Sequence, residues 1–236
     1  MGLILRVDVD KPYGRNTILQ KVTSKLREDY WFPAISCLGY LKPAESLIEY
    51  CNLNGIQGVF YFRNCTLPDK KILSLLKEGN HQIGFHAENT RSLNAFNDEL
   101  ERFRTRLSGT EISSFTKHGS GDIKLGKNHY APYEPELYKK WSVESGLRYF
   151  LGNEIIGSPD DISTDKDFYP TMFWIHNEYR METFNKLEDV IHYAKTLDIP
   201  IIIHPANFIA NNFVNSEFKK LVSMAKDASI SWKLIS

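Results

Sequence analysis

Two aspartates, a lysine and several histidines in this 236-residue chain stand where apolar runs end. Asp8 and Asp10 close the run that begins at Leu3, His86 closes His81-Gln-Ile-Gly-Phe-His86, and Lys117 and His118 follow Ile112 to Thr116. Asn153 and Glu154 follow Leu147 to Leu151, and His204 ends Ile201-Ile-Ile-His before Pro205. Residues two apart on an extended chain project to the same side with α-carbons roughly 6–7 Å apart, so Asp8 and Asp10 could serve one site. Two unpaired carboxylates repel, and a bound cation or a cationic neighbour such as Lys117 would relieve them. The plainer alternative is that either aspartate caps the turn before Pro12.

A lone histidine at the end of an apolar strand is ordinarily a satisfied core residue. Beside paired aspartates, His86 reads instead as a metal ligand, because carboxylate plus imidazole suits zinc and related divalent ions. His81, at the other end of the same run, reads as structural. An ionisable residue finishing the buried run before Pro205 makes His204 a candidate general acid, the alternative being a hydrogen-bonded histidine at a rim. His176, after Phe173-Trp174-Ile175, and His129-Tyr130, in a long irregular segment, are candidate substrate contacts, whereas His192 lies within a helical pattern. Tyr30, Trp31, Tyr130, Tyr133 and Trp174 supply aromatic faces near the proposed rim, for a ligand or for ordinary packing.

Holding such residues together requires strands that end at one level. The chain alternates short β-prone runs with helical patterns, which argues for a parallel sheet. The runs are Leu3 to Val9, Gly58 to Phe62, His81 to His86, Ile112 to Thr116, Leu147 to Leu151, Thr171 to His176, Ile199 to His204 and Ser229 to Ile235. The intervening helical patterns include Asn16 to Asp29, with Ile18, Leu19, Val22 and Leu26 at helical spacing, and Leu187 to Leu197. Seven to eight strands in one domain over residues 1–236 predict an irregular (β/α) barrel, whose chemistry belongs at the C-terminal ends of its strands. The segment 119–133, with Gly119, Gly121, Gly126 and Pro132, is the longest irregular stretch and a candidate active-site loop.

Whole-chain properties narrow the partners. Lys+Arg and Asp+Glu both number 29, so the chain has no basic field of the kind that drives nucleic-acid binding. Cys37, Cys51 and Cys65 are odd in number and lack metal-type spacing, which reads as buried thiols in a reducing compartment. The first run meets Arg6 and Asp8 too early for a secretory signal, and a cytoplasmic location is expected. A weaker expectation is peripheral membrane contact through Tyr30-Trp31-Phe32-Pro33 and the preceding helix, which carries Lys21, Lys25 and Arg27.

In order along nearly the whole chain, these motifs resemble the NodB-like polysaccharide deacetylases, carbohydrate esterase family 4. Val7-Asp-Val-Asp10 is similar to the opening motif in its Asp-x-Asp variant, which implies that Asp8 is the catalytic base and Asp10 a metal ligand. Gly58-Val-Phe-Tyr-Phe62 resembles the second strand, and Gly79 to His86 resembles the approach to the second motif, implying His86 as the first histidine ligand. Thr116-Lys-His-Gly-Ser-Gly121 stands in the place of the third motif, with Lys117 where the family has an arginine that tunes the base. Ile202-Ile-His204 is similar to the last motif and implies that His204 is the proton donor.

The chain departs from that pattern at Thr90, where the family has its second histidine. Glu88, Asn89 and His118 are the candidates to complete the ligand set, and His118 is favoured because it ends a neighbouring strand, the alternative being that it binds substrate. The resemblance implies a divalent metal, zinc foremost, with cobalt, nickel or manganese as alternatives. The implied substrate is an N-acetylated or N-formylated amino sugar, free in a polysaccharide or linked to a nucleotide or lipid. A phosphate-bearing substrate would be favoured by a positive pocket near Lys117, Lys124 and Lys127. The rival expectation is a metal-free, catalytically silent carbohydrate-binding relative, in which loss of the second histidine ended metal chemistry.

Overall fold

A computed structural model describes residues 1–30 and 32–235; Trp31, one of the aromatic residues singled out above, lies outside them. The described strands are β1 (Gly2–Val9), β2 (Gly58–Phe62), β3 (Gln82–Ala87), β4 (Ser114–Lys117), β5 (Tyr149–Ile155), β6 (Phe168–Trp174) and β7 (Asp198–Ile203). They pair in sequence order, all parallel, and β7 returns to β1 to close the barrel. Helices α1 (Ile18–Tyr30), α2 (Lys42–Leu53), α3 (Lys70–Glu78), α4 (Leu93–Arg106), α5 (Pro135–Glu144), α6 (Leu187–Tyr193), α7 (Pro205–Ala210) and α8 (Asn212–Asp227) surround it. The fold is therefore a mixed α/β closed barrel of seven parallel strands.

The alternation of side chains along a strand divides the core in two. On β1, Leu3, Leu5, Val7 and Val9 face the layer beneath the helices. Ile4 points into the barrel lumen with Val59, Tyr61, Tyr149, Leu151, Tyr169 and Ile202. Room for the Tyr61 ring comes from Gly84, where a Cβ would collide with it. The inward series on β1 continues through Arg6 to Asp8, so the lumen changes from apolar to ionic toward the C-terminal face.

Three sequence expectations need correction. Ser229 to Ile235 is not an eighth strand: it makes one parallel bridge, Leu3 to Trp232. With β7 along one edge of β1 over six registered residue pairs and β2 along the other from Leu5 onward, only Leu3 is left to meet this segment. The Leu187–Leu197 pattern is helical only as far as Tyr193, and Pro205 opens the short helix α7 at its first position, where a proline costs no hydrogen bond. Cys51 and Cys65 are buried as expected, but Cys37 is exposed, because it sits on a short surface turn, Ser36–Leu38, that buries none of its residues.

Helix α1 forms where its spacing predicts, but its orientation is unusual. The residues it buries are Thr23, Ser24 and Glu28, while Ile18, Leu19, Val22, Leu26 and Tyr30 are exposed. Its attachment is polar: Ser24 Oγ accepts from Tyr13 N and donates to Gly14 O, and Glu28 pairs with Lys11. Among the described residues no helix is long and apolar enough to cross a membrane.

Candidate metal centre

Asp10 follows the last residue of β1, His86 lies on β3, and His118 follows β4, so three strands deliver them to one rim. Asp10 Oδ1 stands 3.0 Å from His86 Nε2 and 3.2 Å from His118 Nδ1. The two nitrogens are 3.2 Å apart. Three donors held about 2.0–2.1 Å from one tetrahedral ion would be separated by about 3.3–3.4 Å, close to this triangle. Asp10 Oδ1 is buried without a hydrogen-bond partner, a costly state unless a cation completes it. Asp10, His86 and His118 thus form a group that could hold a metal ion.

The surroundings prepare each member. His86 Nδ1 is hydrogen-bonded to Thr116 Oγ1; with Nδ1 as the donor, Nε2 keeps its lone pair toward Asp10, the arrangement by which an outer partner fixes a ligating imidazole. Burial, helped by the nearby Arg63, pushes the His118 pKa well below its usual value. Burial alone would raise the Asp10 carboxyl, but His118 and His86 outweigh it and hold it well below the usual range. Arg63 donates to Asp10 O at 2.6 Å while its guanidinium also binds Glu88, anchoring the turn that presents the carboxylate.

Asp8 is the inward neighbour of this group, its Oδ2 3.7 Å from His86 Nε2. Its partner is Arg6, two residues earlier on the same strand face, which donates to Oδ1 at 2.8 Å and to Oδ2 at 2.6 Å. Burial favours the neutral acid, yet Arg6 and His86 prevail and the Asp8 pKa is lowered. The guanidinium also donates to Leu151 O, Gly152 O and Asn153 Oδ1. These acceptors flank a register shift in β5 between Leu151 and Glu154, an irregularity of the kind that re-aims groups at sites. A fully buried charge is tolerated only when paired in this way.

Lys117 does not have the role expected for it beside Asp8. Strand alternation sends it to the side opposite Thr116, and its ammonium donates to His118 O at 2.7 Å and lies 3.0 Å from His129 Nε2. Burial lowers its pKa to about 8. His129 is likewise internal to the loop: Nε2 meets His118 O at 2.7 Å and Nδ1 accepts from Leu125 N, and burial lowers its pKa to about 4. It shapes segment 119–133 rather than facing the cavity. Tyr130 also stays outside the cavity, its amide bound to Glu88 O and its ring beside Arg91.

The other candidate positions do not join the group. Glu88 is tied to Arg63, Thr90 Oγ1 pairs with Tyr138 OH at 3.2 Å, and Asn89, whose backbone N–H donates to Glu99, lines a separate small cavity with Glu28 and Glu99. A cavity of about 540 Å³ opens over the triad, and its wall includes Asp8, Asn153, Trp174, Tyr179 and His204. The His204 ring stacks on Trp174 and its Nε2 lies 3.5 Å from Asp10 Oδ2. His204 Nδ1 and Trp174 Nε1 are buried without hydrogen-bond partners. His176 stands edge-on to Tyr179 behind this wall, and burial, with His204 nearby, lowers its pKa to about 4. Gly119, Ser120, Gly121, Ile123 and Leu125 also line the cavity, so the long irregular segment does border the site.

Arg6 is among the site residues that the sequence reading missed, which also include Arg63, Thr116 and Tyr179. The available signal was its spacing: a charge two residues before Asp8 on an extended run must share its face.

No family model matches the chain, and no curated protein matches it. Fold and site together define a seven-stranded β/α barrel with an Asp-His-His group, able to hold a metal ion, in the wall of a cavity at the C-terminal ends of its strands.

Proposed function

We propose that this chain is a metal-dependent hydrolase of the NodB-like deacetylase type, which removes an acetyl or formyl group from the nitrogen of an amino sugar. The observation that carries the reading is the convergence of Asp10, His86 and His118 in one cavity wall with Asp8 and His204 beside them. His118 takes the place left by Thr90, so the ligand set has three members. Held by these residues, a divalent ion, zinc foremost, would supply Lewis-acid polarisation of the amide carbonyl and of a water molecule.

The remaining steps belong to the side chains. Asp8, kept ionised by Arg6, accepts the proton of the attacking water. His204 donates a proton to the leaving amine as the tetrahedral intermediate collapses, and Trp174 holds its ring in place. Trp174 and Tyr179 offer flat faces to the sugar. The three cysteines are free, which supports a reducing, cytoplasmic setting.

The test is elemental analysis of protein purified without chelator, followed by assay of primary-amine release from N-acetyl and N-formyl amino sugars. Near-stoichiometric metal that is lost in Asp10→Ala, together with amine release that is lost in Asp8→Asn, is expected. No metal even after zinc loading would overturn the hydrolase reading in favour of a silent carbohydrate binder, and metal binding with no amine release from any such sugar would overturn the substrate assignment.

A further inference from the structure

Helix α1 reverses the usual amphipathic arrangement, in which the apolar stripe faces the domain. Ile18, Leu19, Val22, Leu26 and Tyr30 form an outward stripe, with exposures from 38% at Leu26 to 81% at Ile18. The C-terminal end of the helix meets the loop that borders the cavity. Asp29 Oδ1 accepts from Lys127 N, and the Lys127 ammonium lies 5.5 Å from the centre of the Tyr30 ring. That ties α1 to the loop whose exposed Ile123 and Leu125 line the cavity.

The charges around this surface are predominantly positive. Arg15, Lys21, Lys25, Lys124 and Lys127 are exposed across segments 15–30 and 119–128, and Asp122 is the exposed acid there. Glu28 is buried against Lys11, and Asp29 pairs with Lys25. In a chain with equal numbers of acidic and basic residues, this is a local concentration of cations around an aliphatic ridge. Protein interfaces deplete lysine and favour aromatic and arginine anchors, whereas aliphatic residues flanked by lysines suit the headgroup boundary of an anionic bilayer.

We infer that α1 and the 119–128 loop dock the protein on an anionic lipid surface, α1 lying in the interface and the cavity mouth opening beside it. This stands on the helix and loop alone. Its consequence for the hydrolase reading, which rests on that reading, is that the sugar is carried on a lipid.

The test is co-sedimentation with vesicles containing about a third phosphatidylglycerol in phosphatidylcholine, against phosphatidylcholine alone. The wild type is expected to sediment with the anionic vesicles, less so at about 0.5 M salt. The combined variant Ile18→Ser, Leu19→Ser, Val22→Ser is expected to partition at least about tenfold more weakly while keeping its circular dichroism spectrum, since all three side chains are exposed. Lys21→Glu with Lys124→Glu is expected to remove the preference for anionic vesicles. Failure of the wild type to bind, or equal binding by the triple variant, would overturn the inference. So would a wild-type dimer that the triple variant converts to monomer, since the stripe would then be a protein interface. No substrate or metal enters the measurement, so its failure leaves the hydrolase reading untouched.

Discussion

His81 and His86 stand at opposite ends of one short stretch of chain, and their surroundings differ in kind. At the N-terminal end of the barrel, His81 Nδ1 accepts from Gly58 N at 3.1 Å and Nε2 meets Asn52 Oδ1 at 2.7 Å, so both nitrogens are used by the fold. At the C-terminal end, Thr116 occupies only His86 Nδ1. His86 Nε2 is left facing Asp10 and His118. A histidine whose partners all belong to the fold stabilises it, whereas one whose second nitrogen meets only the other members of the group, His118 and an unsatisfied carboxylate, has capacity for a ligand.

The largest expected break of this contrast is at the ligands. If a structural zinc site is worth about 10–16 kcal/mol over four ligands, one ligand contributes about 3 kcal/mol. His118→Ala should therefore weaken zinc affinity by more than about a hundredfold, measured by competition with a chromophoric chelator. An unchanged affinity would remove His118 from the set. Next in size is Thr116→Val, which keeps the shape of the side chain but frees His86 Nδ1 and should weaken affinity by about tenfold. His81→Gln should leave zinc affinity unchanged and lower unfolding stability by about 1 kcal/mol, read by urea titration.

The positions of Asp8, Asp10, His86, His118 and His204 were legible because strand ends in a parallel barrel converge on one face. What periodicity does not encode is direction. It predicts the α1 stripe at Ile18, Leu19, Val22 and Leu26 but not that the stripe faces outward, because Ser24 and Glu28 attach the helix through polar contacts to the turn that follows β1. Motif position assigns Lys117 to Asp8, whereas alternation within β4 sends it to the other side of the sheet from Thr116. The supposed strand at Ser229 to Ile235 has a suitable pattern, but pairing of β7 with β1 is a property of barrel closure that no local window carries.

The same contrast can be broken through pH dependence, where two groups shielded from solvent act with opposite sign. Burial lowers the His81 pKa to about 4, against a usual value of 6.5. The folded state resists protonation there, so its contribution is present above pH 6.5 and is lost as pH falls toward 4. Burial, reinforced by Glu88, raises the Glu99 pKa to about 7 from 4.5. Its contribution is present below pH 4.5 and is lost as pH rises toward 7. Relative to wild type, His81→Gln should lose less stability on acidification from pH 6.5 to 4, and Glu99→Gln should gain stability as pH rises from 4.5 to 7. Urea titrations across this range read both differences. If the His81→Gln difference were flat with pH, the ring would not be held neutral by burial, and the contrast between the two ends of the barrel would lose its electrostatic basis.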